Sequence, residues 1–86
     1  MHLHSIENAT VWTVDELPVR MVWRGHRWRV TDTPTPLLGE VYHELLTHPA
    51  LSRVGWRFQV TDEAEETHVV DAEQAGDAWA VVAVYD

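Results

Sequence analysis

The sequence predicts an α+β domain: a small curled antiparallel sheet or partial barrel of about five to six strands, with one amphipathic helix. Three observations predict it. Two alternating segments flank Gly25-His26 as a hairpin, apolar residues recur at helical spacing from Leu37 to Thr47, and alternation returns at Trp56–Thr61 and Ala78–Tyr85. At 86 residues the chain suits a single domain spanning 1–86. A chain of this size buries only about 60–65% of the surface it exposes when unfolded, so its stability is modest.

The first eight residues show no clear period and read as a loose or edge-paired lead-in. Thr10-Val11-Trp12-Thr13-Val14 is β-branched and aromatic, hence a short strand. Asp15-Glu16-Leu17-Pro18 is a turn, with Pro18 tolerated at the start of the next strand.

Val19–Arg24 and Arg27–Thr31 then form the hairpin, with Gly25 first in a two-residue type II′ loop. That register sets Arg24 opposite Arg27 and Trp23 opposite Trp28. One face carries Met21, Trp23, Trp28 and Val30; the other carries Arg20, Val22, Arg24, Arg27 and Arg29, with His26 at the tip.

Pro34 and Pro36 make Asp32–Pro36 a connector. Leu37, Leu38, Val41, Tyr42, Leu45 and Leu46 fall at i, i+3, i+4, i+7, i+8 positions, an amphipathic helix stopped by Pro49. Trp56, Phe58 and Val60 alternate with Arg57, Gln59 and Thr61 as a half-buried strand. Asp62–Glu66 is too charged to bury and forms a turn, Thr67–Val70 is a short strand, and Ala72–Asp77 turns again. In the last strand, Ala78–Tyr85, one face takes Trp79, Val81, Ala83 and Tyr85 and the other Val82 and Val84, which suits a central position.

Charge is unevenly distributed. Fourteen acids oppose six bases for a net −8, and every base is arginine. Four arginines (Arg20, Arg24, Arg27, Arg29) lie within ten residues, while seven of the acids fall between residues 62 and 77. Overall acidity disfavours non-specific nucleic-acid binding, although a local arginine patch leaves a specific contact open. No cysteine is present, so there is no disulfide, thiolate ligand or thiol nucleophile. The absence fits a reducing, cytoplasmic setting. The N-terminal Met1-His2-Leu3-His4-Ser5 lacks a signal pattern, and the apolar run Ala78–Tyr85 is far short of the roughly 20 residues of a membrane helix.

Trp23-Arg24-Gly25-His26-Arg27-Trp28-Arg29-Val30, Trp56-Arg57-Phe58 and the terminal Trp79-Ala80-Val81-Val82-Ala83-Val84-Tyr85-Asp86 together resemble a family of small bacterial domains of no established activity. Its members share a Trp-Arg-Gly-Arg-aromatic hairpin and a Val-Tyr-Asp terminus; some are appended to lesion-bypass (Y-family) DNA-polymerase-like chains. The resemblance spans residues 18–86, departs from the pattern at His26, and implies no catalytic residues.

Weighed by chemistry, the arginine face (Arg20, Arg24, Arg27, Arg29, with His26) is the candidate binding surface, because guanidinium forks suit carboxylates and phosphates. The plainer reading is an outer sheet face whose arginines pair with the chain's own acids. Trp23, Trp28, Trp56 and Trp79 belong to the core face, and Trp12 is unassigned. The six histidines do not make a metal site, since His43 and His48 lie about 140° apart around a helix. No nucleophile elbow, phosphate loop or calcium loop is present. The expectation is a non-enzymatic interaction domain without cofactor, its hairpin face meeting an acidic protein partner or a second copy as a homodimer. The alternatives are a ligand-binding or enzymatic fold with a pocket between helix and sheet at Tyr42, His43 and Glu44, and a nucleic-acid accessory domain.

Overall fold

In a computed structural model, which describes residues 2–41 and 50–85 and the side chains of 6–39 and 52–85, the chain forms antiparallel strands throughout. They are β1 (His2–Val14), β2 (Leu17–Trp23), β3 (His26–Val30), β4 (Thr35–Val41), β5 (Ala50–Thr61), β6 (Thr67–Ala75) and β7 (Ala78–Tyr85). The sheet runs β3-β2-β1-β7-β6-β5-β4, and a further pairing of β3 with β5 closes six of the strands into a barrel. Closure rests on Arg29↔Thr61 and Val30↔Val60, extended by Thr31 N–H donating to the Gln59 carbonyl at 2.9 Å. Gln59 N–H in turn donates to Asp32 Oδ1 at 2.8 Å, so an aspartate ends the ladder.

The fold is therefore all-β, which corrects the α+β expectation. Residues 37–41 of the expected helix form β4, pairing Leu37 with Gly55, Leu38 with Arg53 and Val41 with Ala50. The physical reason is non-local. The N-terminal half of β5 has no barrel partner on that side, and β4 satisfies its backbone groups. A short apolar run cannot be told from a helix by spacing alone. The remainder of the expected helix, including Tyr42, His43 and Glu44, lies outside the described residues.

The N-terminal lead-in is also structured: His2, Leu3 and His4 pair with Tyr85, Val84 and Ala83. β6 continues to Ala75, beyond the turn expected at Ala72.

The hairpin turns one residue earlier than expected, which slips the cross-strand register by two. Arg24 and Gly25 form the loop with φ of 54° and 74°, and Trp23 pairs with His26, Met21 with Trp28 and Arg20 with Arg29. Positive φ at both positions suits a type I′ turn, whose twist matches the strands. A two-residue slip leaves the side-chain partition unchanged, because faces alternate with period two.

The barrel interior is filled by Met21, Trp23, Trp28, Trp56, Phe58, Val60, Val70, Ala72, Trp79, Val81 and Val84. The four tryptophans expected in the core are there. The Trp28 indole N–H donates to the Trp23 carbonyl at 2.9 Å, whereas those of Trp23 and Trp56 are buried without an acceptor among the described residues. Tight curvature depends on Gly55, where a Cβ would strike the Ala72 carbonyl and lie 2.8 Å from Glu73 Cα.

Two bulges re-aim side chains. In β2, Val19 is extra: Trp12 faces Arg20, yet Thr13 faces Pro18. Pro18 is buried there, where a missing N–H is tolerated. In β7, Val82 is extra relative to β6, because Asp71 faces Ala83 while Ala72 faces Val81. Beyond it Val84 points inward and Tyr85 outward, opposite to simple alternation from Trp79.

Candidate functional site

The outer surface of β1–β2–β3 carries the arginines. Register places Arg20 beside Arg29 and Val22 beside Arg27, all directed away from the core. Like charges directly opposite each other cost stability unless compensated. Arg29 is compensated. Its Nη2 reaches both Glu65 carboxylate oxygens at 3.1 and 3.2 Å, and its Nη1 donates to the Asp62 carbonyl at 3.2 Å.

Arg24 sits in the turn rather than on that face. It forms a two-pronged pair with Glu7 at 2.7 and 2.8 Å, and its guanidinium lies 4.2 Å from the centre of the Trp23 ring. Its role is thus to cover a core indole at the barrel mouth. His26, exposed at the start of β3, sets its ring at a steep angle to Trp28, 6.2 Å between centres. The structure brings Arg20, Arg27 and Arg29 together, sets Arg24 apart in the turn, and leaves His26 beside Arg27.

Arg20 and Arg27 meet no carboxylate among the described residues. The Arg20 guanidinium lies 5.9 Å from the Trp12 ring centre. Both line an open groove of about 320 Å³ with Trp12, Met21, Val22 and Trp28. Arg27 also borders a hollow of about 500 Å³ between the β2–β3 and β5–β6 turns, beside His26, Asp62 and Glu63. A smaller hollow of about 200 Å³ joins Arg20, Arg27 and Arg29 to Glu63 and Thr61. Arg27 lines all three hollows.

The β5–β6 turn is built on Asp62, buried despite its charge. Its Oδ1 accepts the N–H groups of Ala64 and Glu66, both at 2.9 Å. Backbone donors supply what burial would otherwise make costly.

A second polar cluster lies on the far wall, on β5–β6–β7. Arg57 Nε and Nη2 donate to Asp71 at 2.7 and 3.0 Å, Tyr85 O–H donates to Asp71 Oδ2 at 2.6 Å, and Arg57 Nη2 also donates to the Tyr85 oxygen at 2.9 Å. The bond to Asp71 pushes the Tyr85 phenol above its ordinary value, and the same carboxylate holds the Arg57 guanidinium more firmly protonated. Both Asp71 oxygens are engaged, so the carboxylate is a structural acceptor rather than a free base. Sequence reasoning missed this cluster because the Val82 bulge, which turns Tyr85 outward, leaves no local signature.

His68 lies 5.6 Å from Trp28 and 6.2 Å from Trp23 between ring centres, with Nε2 3.6 Å from Glu66. Among the described residues no three histidine, aspartate or glutamate side chains are grouped to hold a metal. No helix among them is long and apolar enough to cross a membrane. The expected helix–sheet pocket has no helix at 37–41 to form its wall.

Comparison with protein-family models, curated proteins and solved structures found no match to this chain. None of these comparisons supports the expected resemblance to the bacterial domain family, which is carried by the hairpin, Trp56-Arg57-Phe58 and terminal motifs. The fold and site define a small antiparallel β-barrel with one cationic, aromatic-edged face.

Proposed function

We propose that this chain is a non-enzymatic interaction module whose hairpin face contacts an acidic protein partner. The observation that carries the reading is the placement of Arg20 and Arg27. They share a groove with the exposed Trp12 and meet no carboxylate among the described residues, in a chain with 14 acids and 6 bases. Arginines clustered at a cost, in a chain rich in acids that could neutralise them, are placed for something outside the chain. A partner's carboxylates suit the two guanidinium forks. The net charge of −8, with Glu63 and Glu65 on the rim, opposes a polyphosphate strand. The cytoplasmic setting expected from the cysteine-free composition belongs to this reading.

The test is fluorescence polarisation with a labelled peptide of ten glutamates, against the native chain and the Arg20→Glu/Arg27→Glu variant. The native chain binds with an affinity that falls as salt rises, and the variant loses at least tenfold in affinity while its Tm moves by no more than about 2 °C. Unchanged binding by the variant, or tighter binding of a ten-nucleotide single-stranded DNA than of the peptide, overturns the reading.

A further inference from the structure

The outer face of the β1–β2 hairpin is apolar next to these arginines. Val14 and Leu17 face each other across the two strands and Trp12 faces Arg20, while the β2 bulge adds Val19 beside them. Their exposures are 45% for Trp12, 59% for Val14, 38% for Leu17 and 36% for Val19. Four large apolar side chains exposed together differ from the scattered single ones every surface carries. Among the described residues, the other large exposed apolar side chains are Ile6, nearer the start of β1, and Leu38, on β4.

Resting on the reading above, we infer that this strip and the adjoining arginines are one bipartite docking surface. Its occupant is a partner segment bearing large apolar side chains followed by carboxylates. Charge complementarity argues for that occupant: the strip runs into the groove where Arg20 and Arg27 have no acid among the described residues. Strand geometry sets the spacing. Val14 lies two residues from Trp12, about 7 Å along the strand, and β3 lies two strands, about 10 Å, across from β1. The apolar and acidic elements of an extended ligand therefore stand about three to four residues apart.

A second copy fits less well. A two-fold contact through this face would oppose arginine to arginine, and pairing it with another copy's acidic surface would be a head-to-tail contact, which builds rings or filaments rather than a two-fold dimer.

The experiment uses two labelled octapeptides, one with two leucines, two glycines and four glutamates in that order, the other with serines replacing the leucines. They are titrated against the native chain and the Val14→Ser/Leu17→Ser variant, whose fold is checked by near-ultraviolet circular dichroism; Val19→Ser substitutes if that variant does not fold. The leucine peptide binds the native chain at least tenfold tighter than the serine peptide. The variant loses that advantage while binding the serine peptide unchanged. Equal, salt-sensitive binding of both peptides by the native chain overturns the bipartite surface and leaves the arginine reading standing. If neither peptide binds, the arginine reading falls and this inference with it. A dimer by light scattering that Val14→Ser/Leu17→Ser disperses assigns the strip to a second copy, and uptake by phosphatidylcholine vesicles assigns it to lipid; either result overturns the inference.

Discussion

The Tyr85 hydroxyl donates a 2.6 Å hydrogen bond to Asp71 Oδ2 on the outer wall of the barrel, and both groups also engage Arg57. Three strands are tied by this cluster at a place where a β-sheet normally presents unlinked side chains to water. Asp71 is only 7% exposed, so its partners replace solvent rather than merely decorate it.

Removing that acceptor has a measurable cost. Asp71→Ala leaves the Arg57 guanidinium and the Tyr85 hydroxyl without their shared carboxylate. The expected loss is about 1–2 kcal/mol in urea denaturation, toward the lower end for charged hydrogen bonds because Arg57 is half exposed. Asp71→Asn recovers part of it, since the amide oxygen still accepts one bond.

The same cluster sets an alkaline limit. The Tyr85 phenol titrates above its unfolded value of 10.0 because its proton is held by Asp71. A folded-state pKa raised above the unfolded one stabilises fully below pH 10 and is lost as pH rises through the folded value. Stability should therefore fall above pH 10 in the native chain and fall less steeply in Tyr85→Phe, as read from urea midpoints at pH 8 to 11.

Gly55 is the tightest point in the wall. Gly55→Ala forces β5 and β6 apart, since the new methyl meets Ala72 and Glu73 backbone rather than a side chain that can rotate. The expected cost is about 2–3 kcal/mol, seen as a lowered Tm.

Phe58 and Trp12 contrast the two faces. Phe58→Ala removes a fully buried ring from the barrel interior and should cost about 3–5 kcal/mol by chemical denaturation. Trp12→Ala, on the outer face, should change stability by no more than about 0.5 kcal/mol while weakening capture of the leucine–glutamate peptide.

Strict local alternation was enough to assign the inward set on the hairpin. Met21, Trp23 and Trp28 point inward and Arg20, Arg27 and Arg29 outward whichever two-residue register is chosen, because an even slip conserves the faces. The same holds for Trp56, Phe58 and Val60 on β5. The face of the candidate site was thus legible in the sequence, along with four of the five tryptophans of the chain as core residues. Which of its arginines remain without a carboxylate was not.

That choice needed the fold. Arg24 and Glu7 are 17 residues apart in sequence and meet because β1 pairs with β2, and Arg29 reaches Glu65 because β3 closes onto β5. The strand at 37–41 forms because β5 offers an open edge, a demand that apolar spacing within the segment cannot record. Tyr85 shares the outer side of the wall with Asp71 because Val82 bulges from β7. By itself the sequence determined the period-two faces and the separation of basic from acidic segments, since both are local properties of the chain. Only the tertiary structure decided which charges were neutralised, which apolar residues stayed outside, and that the sheet closed, because those depend on contacts between residues far apart along it.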